Sequence, residues 1–362
     1  MLIALLIVAA TPVVCFGDIT DRLQEAEGHS IQLSEGDCAL RKTIRYCKPT
    51  VVHGEGIALT RLHVVTGTTA FEFARGPRCP KKSPGAGRSL IEGLSIQSPG
   101  VVTSTIPTFG IKVLARMNIE HVETVGFVQG IRIDGHAVSQ GTNANAWRMT
   151  SIHVKNAQHA GVYIDGPDVN VGLTLGAEVY ANCSRANRWE ATLGPCAGYF
   201  DSSFLGSVHV AVLGDLQIDR DTGKAHPAHW FEGDSQFSEC YGCYNEGSIP
   251  SKISQNTMVI GGLINIDGEG LRFGGTVMSG LEVKNHRDPA NPVSVRLGTR
   301  TSLGTGLEVR TDARTGNNIL RFKYEPSRKA WRLDINNLNA LIVFRIYLDA
   351  VLQIYNPKLP PF

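Results

Sequence analysis

From about residue 30 onward the chain is written in short runs where apolar and polar residues alternate at a period of two. No stretch of comparable length carries the 3.6-residue period of an amphipathic helix. One unit recurs: Ile131-Arg132-Ile133-Asp134-Gly135, Val162-Tyr163-Ile164-Asp165-Gly166 and Ile264-Asn265-Ile266-Asp267-Gly268, with a weaker relative at Leu216-Gln217-Ile218-Asp219. β-branched residues at alternating positions predict strands. Asp-Gly predicts the turn that closes each one, because Gly accepts positive φ and Asp bonds the backbone that follows. The first two copies extend backward, Ile119-Glu120-His121-Val122 answering Ile152-His153-Val154. A strand-turn-strand unit without intervening helices, repeated at this spacing, predicts a solenoid of stacked parallel strands, since one rung cannot bury its apolar face and a stack can.

Further phrases of the same kind are Ser30-Ile31-Gln32-Leu33-Ser34-Glu35-Gly36, Thr43-Ile44, Val51-Val52-His53-Gly54-Glu55-Gly56, Ile91-Glu92-Gly93-Leu94-Ser95-Ile96 and Val125-Gly126-Phe127-Val128-Gln129-Gly130-Ile131. Over roughly residues 28–287 the chain resembles the right-handed parallel β-helix proteins of the pectin-lyase-like superfamily. The expected fold is therefore all-β: a right-handed parallel β-helix solenoid over 18–287, with a small C-terminal β-rich extension over 288–362. Asp21-Arg22-Leu23-Gln24-Glu25-Ala26-Glu27 is expected to cap the first rung as a short amphipathic segment. The breaker cluster Asn285–Pro292 marks the boundary. Beyond it, Leu320–Tyr324 and Trp331–Ile335 alternate on either side of a turn and predict a hairpin weakly similar to C-terminal elements of phage tail-fibre-like proteins. In the final stretch from Leu341 onward Arg345, Asp349 and Gln353 sit at helical spacing, but the β-branched and aromatic content favours a strand over a helix.

Composition adds a compartment. The first sixteen residues carry no charge and are too short for a membrane span, so residues 1–17 are expected as a secretory signal, cleaved after Ala10 or Gly17, and the protein as extracellular or at a cell surface, with no membrane span in the mature chain. Eight cysteines in an exported chain imply disulfides. Short spacing favours Cys38–Cys47, Cys183–Cys196 and Cys240–Cys243, leaving Cys79 free or paired with Cys15. A metal at Cys240-x-x-Cys243 is not expected, because no second such pair follows.

Net charge is +2, which excludes a general nucleic-acid footprint, but it is unevenly spread. Of 35 basic and 33 acidic side chains, residues 271–362 hold 14 and 7, leaving 21 and 26 for residues 1–270. Nucleotide-binding glycine motifs and the Gly-x-Ser-x-Gly elbow are absent from the sequence. A basic C-terminal region fits an anionic polymer, with salt-sensitive binding.

The candidate site is the stretch His226–Asp234. On an extended strand Trp230, Glu232 and Asp234 share one face, an aromatic platform beside two carboxylates. Glycosidic hydrolysis needs such a pair; lyase chemistry needs a base and a cation to neutralise a uronate. Glu232 and Asp234 are the expected catalytic residues, with His229, Trp230, Tyr244, Glu246, Tyr163 and Asp165 as substrate contacts. The resemblance implies a polysaccharide lying along an outward sheet. However, the polygalacturonase-type and pectate-lyase-type motifs are missing, so no catalytic residue carries over. No cofactor is expected. Calcium at the Asp165–Asn170 turn is an alternative that lacks the full loop pattern. Recognition of an extended polysaccharide, with cleavage left open, is the expected function. The alternative is a non-catalytic adhesin or tail-fibre-like protein, a homotrimer through its C-terminal strands.

Overall fold

A computed structural model describes residues 11–100, 105–136, 143–215, 217–232, 238–245, 251–252 and 258–260, and, further on, 306–310, 319–325, 330–337, 340–348 and 352–355. The chain divides into two compact units, Met1–Val277 and Met278–Phe362, ten residues before the boundary expected from the breaker cluster.

The first unit is a β-helix solenoid of two parallel sheets. One carries the long strands Ser89–Gln97, Met117–Val125, Arg148–Lys155, Gly172–Tyr180 and Ser207–Gly214, continued by shorter ones at both ends. The other stacks Ile44–Tyr46, Phe71–Phe73, Phe109–Val113, Gln129–Asp134, Ala160–Asp165, Tyr199–Asp201 and His229–Phe231. The sequence repeat sits in register here, Ile131 beside Val162 and Asp134 beside Asp165. The third copy lies outside the described residues. The Leu216 relative is not a rung: Gln217–Ile218 pairs antiparallel with Ala225–His226, a local hairpin.

Burial follows the alternation, with one systematic break. In Met117–Val125 the inward residues are Met117 and Ile119, then Val122 and Thr124, so the step lengthens by one residue across His121. His121 has φ 50°, and its neighbours on adjoining rungs, Gly93, Ser151, Gly176 and Ala211, have φ 66°, 52°, 74° and 52°. This column of left-handed residues turns each of the five long strands through a corner while keeping its apolar side chains inward. Non-glycine residues adopt that conformation at a cost of roughly 1–2 kcal/mol each, which the stacked core offsets.

Ladders of like side chains fill the interior, such as Ile111, Ile131, Val162 and Tyr199, and Tyr46 packs with Phe71 and Phe73. Towards the C-terminal rungs the core turns polar. The His209 Nε2 to Asp201 Oδ2 contact is 2.8 Å with both side chains fully buried, and Tyr199 and Ser238 complete the network. The helix Thr20–Glu25 buries Leu23, whose carbonyl accepts from Tyr46 Oη at 2.8 Å, so it closes the end of the second sheet.

Two disulfides fall where spacing placed them, Cys183–Cys196 and Cys240–Cys243. Cys38–Cys47 does not form: the bridges are Cys15–Cys38 and Cys47–Cys79. In a coil, the neighbour of a residue lies one turn away along the chain. Gly17 pairs with Cys38 and Tyr46 with Phe73, which brings cysteines of adjacent rungs together. Thr11–Val13 is itself a strand paired with Ile31–Leu33. Residues 11–17 thus belong to the first rung, which cleavage after Gly17 would remove.

The second unit contains a five-stranded antiparallel meander of Gly306–Arg310, Ile319–Glu325, Ala330–Asn337, Ala340–Leu348 and Leu352–Tyr355. Its central hairpin pairs Tyr324 with Trp331. Among the described residues no helix is long and apolar enough to cross a membrane.

Candidate functional site

Parallel stacking sets equivalent residues of successive rungs side by side, about 4.8 Å apart. Outward on the second sheet this produces one line of side chains: Arg45, Glu72, Lys112, Arg132, Tyr163, Phe200 and Trp230, with Lys252 bridged to Trp230. The first half is ionic and the second aromatic. Glu72 is held by Arg45 at 2.9 Å and Arg78 at 3.0 Å. The Arg132 guanidinium lies 4.6 Å from the Tyr163 ring, Tyr163 stacks on Phe200 at 4.2 Å, and Phe200 meets Trp230 edge-on at 6.1 Å. Two residues further along each strand runs a second outward line, Asp134, Asp165, Ser202 and Glu232.

Between these lines is a cleft of about 400 Å³, lined by His136, Tyr163, Asp165, Gly166, Pro167, Pro195, Phe200, Ser202, Phe204 and Glu232. Asp165 is its electrostatic centre. It accepts from Arg132 at 2.9 Å, from His136 Nε2 at 2.8 Å and from the Ser202 hydroxyl at 2.8 Å. Burial alone would raise its pKa. Arg132 above all, with His136 and Ser202, more than offsets that and holds the carboxyl below its usual range. Burial lowers the pKa of Lys112 and raises that of the Tyr163 hydroxyl, which keeps the phenol protonated. The cleft thus presents a fixed anion, an exposed imidazole, a hydroxyl and a second carboxyl beside the half-exposed Phe204 ring.

The structure gathers three of the expected site residues, Tyr163, Asp165 and Glu232, into this cleft and sets Trp230 next to it on the same ladder. Two substrate contacts are corrected. His229 is fully buried, because Trp230 is outward and alternation turns His229 inward; Nε2 faces Val212 O at 3.2 Å. Tyr244 belongs to the other sheet, beside Leu213, because the chain has turned away from the cleft by then. Asp234 and Glu246 lie outside the described residues. The expected open platform is also modified: Tyr163 and Phe200 are almost fully covered, and the Lys252 ammonium sits 3.8 Å from the Trp230 ring.

Sequence reasoning missed His136, Ser202, Phe200 and Phe204. His136 directly follows the Asp134-Gly135 turn and was a findable signal. Tyr199-Phe200-Asp201 lacks the Asp-Gly ending, which hid a genuine rung.

No protein-family model matches the chain, and no curated protein matches it. Among solved structures, ORF18 of Geobacillus virus E2 is similar at 13% identity, with a TM-score of 0.42, over 95% of this chain and 76% of that one.

Proposed function

We propose that this is a secreted or cell-surface protein and that the cleft on its second sheet recognises an extended polysaccharide. The observation that carries this reading is the combination of Asp165, Glu232, His136 and Ser202 around a half-exposed Phe204 in a single groove. Sugar hydroxyls need convergent donors and acceptors, and the C–H face of a pyranose needs an apolar wall. Rungs repeating at the sheet spacing offer an extended polymer a series of evenly spaced contact positions. Cleavage, if it accompanies binding, falls to Glu232 as the proton-transferring carboxyl, with Asp165 or Asp234 as the second. Asp165, held ionised, suits the base or nucleophile role rather than the acid.

The test is a panel of acidic and neutral polysaccharides. Binding is read by calorimetry; cleavage is read by the ultraviolet absorbance of an unsaturated product and by reducing ends. Phe204→Ala should weaken binding about two- to tenfold, the scale of one aromatic contact at ~0.5–1.5 kcal/mol. Glu232→Gln should remove ~10²–10⁴-fold of any cleavage rate while binding persists. Absence of binding across the panel overturns the reading.

A further inference from the structure

Beside the cleft, the segment between Tyr180 and Tyr199 is folded back on itself through the 3-10 turn Ala186–Arg188 and the short helix Glu190–Leu193, and is closed by Cys183–Cys196. Both cysteines are fully buried. A third donor points at them from the hairpin that follows. His226 is 3% exposed, and its Nε2 has no hydrogen-bond partner. A ring nitrogen of His226 and the two sulfurs all lie within 4.8 Å of one another. The other ring nitrogen, Nδ1, faces Glu190 Oε1 at 3.5 Å.

A disulfide has no use for an imidazole, and a packed interior rarely leaves a buried ring nitrogen unpaired. Two sulfurs and one imidazole converging on a point, with a carboxylate behind the imidazole, is the donor set of a thiophilic cation. The carboxylate would hold the Nδ1 proton and direct the Nε2 lone pair inward, the arrangement that metal-bound histidines adopt. Tetrahedral zinc, with Zn–S bonds near 2.3 Å, sets its two sulfurs about 3.8 Å apart, which requires the Cys183–Cys196 bond to open first.

We propose that Cys183, Cys196 and His226 form a redox-gated site for a thiophilic divalent cation of the zinc class. The site is closed while the disulfide is intact. A dithiol or phosphine reductant supplies two electrons; the Cys183–Cys196 bond breaks, two protons are taken up, and the reductant is oxidised. Cation binding then releases those two protons, leaving two thiolates and the His226 Nε2 lone pair on the metal. Glu190, partly exposed, marks the side from which the cation enters.

Cobalt(II) is the probe, because thiolate ligation gives it charge-transfer bands in the near ultraviolet and intense visible bands. The test uses the full chain with Cys240→Ser and Cys243→Ser, which removes the other local cysteine pair. The reduced form should take up one Co²⁺ with both signatures, and the oxidised form none. His226→Ala should weaken uptake at least tenfold and shift the visible bands, and Glu190→Gln should weaken it more mildly. Cys183→Ser with Cys196→Ser should abolish the signal, which separates this site from Cys15, Cys38, Cys47 and Cys79. Uptake unchanged by His226→Ala overturns the proposal, as does a signal that survives loss of Cys183 and Cys196. Circular dichroism is recorded alongside: a reduced chain that stays unfolded with Co²⁺ in excess also counts against it.

Discussion

Two core histidines should make this protein unfold with acid across a definable window. His159 is buried with Nε2 donating to Gly194 O at 2.9 Å and Nδ1 facing the Gln129 amide at 3.0 Å. His229 is buried with Nε2 donating to Val212 O at 3.2 Å. Burial is the dominant influence on both and lowers each pKa from 6.5 to about 4. The unfolded chain therefore binds these protons near pH 6.5, whereas the folded chain resists until near pH 4. Both imidazoles are neutral in either state above pH 6.5, and their contribution is fully present there. It drains away as pH falls through the window and is gone below about 4. A difference of two to three pH units at 1.36 kcal/mol per unit is roughly 3 kcal/mol for each histidine. Both together approach the whole stability of a typical domain, ~5–15 kcal/mol. Urea unfolding followed by circular dichroism, with disulfides intact, should show stability falling between pH 6.5 and 4.5. His229→Gln cannot take up a proton, so its slope in that window should be shallower by up to about 1.4 kcal/mol per pH unit, whatever the variant loses at neutral pH. Identical slopes in the parent and in both His229→Gln and His159→Gln would refute the reasoning.

Two further outcomes follow from the coil. Gly172→Ala would set a methyl carbon 2.0 Å from the buried Trp147 ring and should cost at least ~1–3 kcal/mol, whereas Gly176→Ala, with nothing nearer than 3.9 Å, should cost only its left-handed backbone, about 1–2 kcal/mol; thermal melts of the two variants decide. Non-reducing peptide mapping should join Cys15 to Cys38 and Cys47 to Cys79, with a mature chain that still contains Thr11–Gly17; a peptide joining Cys38 to Cys47, or a mature chain beginning at Asp18, would contradict the first rung.

Much of this architecture is local and was therefore open to inspection in the sequence. Alternation specifies which side of a strand faces inward, and Asp-Gly specifies where it stops, so the register of Ile131 on Val162 could be read from spacing alone. The same logic put Tyr163 and Asp165 on one face of their strand and Trp230 and Glu232 on one face of theirs; that these strands share a sheet came from the structure. What spacing could not supply was the path of the chain between rungs. Cys38 and Cys47 are close in sequence, but Cys38 lies in a strand of the first sheet and Cys47 just past a strand of the second, and each finds its partner a full turn away. Tyr244 is near Trp230 in sequence and ends on the other sheet. His229, a neighbour of the expected platform, is drawn into the core because two adjacent strand residues cannot face the same side. The cleft itself depends on Pro195 and Phe204, contributed by loops whose approach is set by the disulfide and the stacked rungs rather than by any periodic signal. Sequence determined which residues face out on each strand; stacking decided which of them meet, because contacts between rungs join residues that the chain separates by an entire turn.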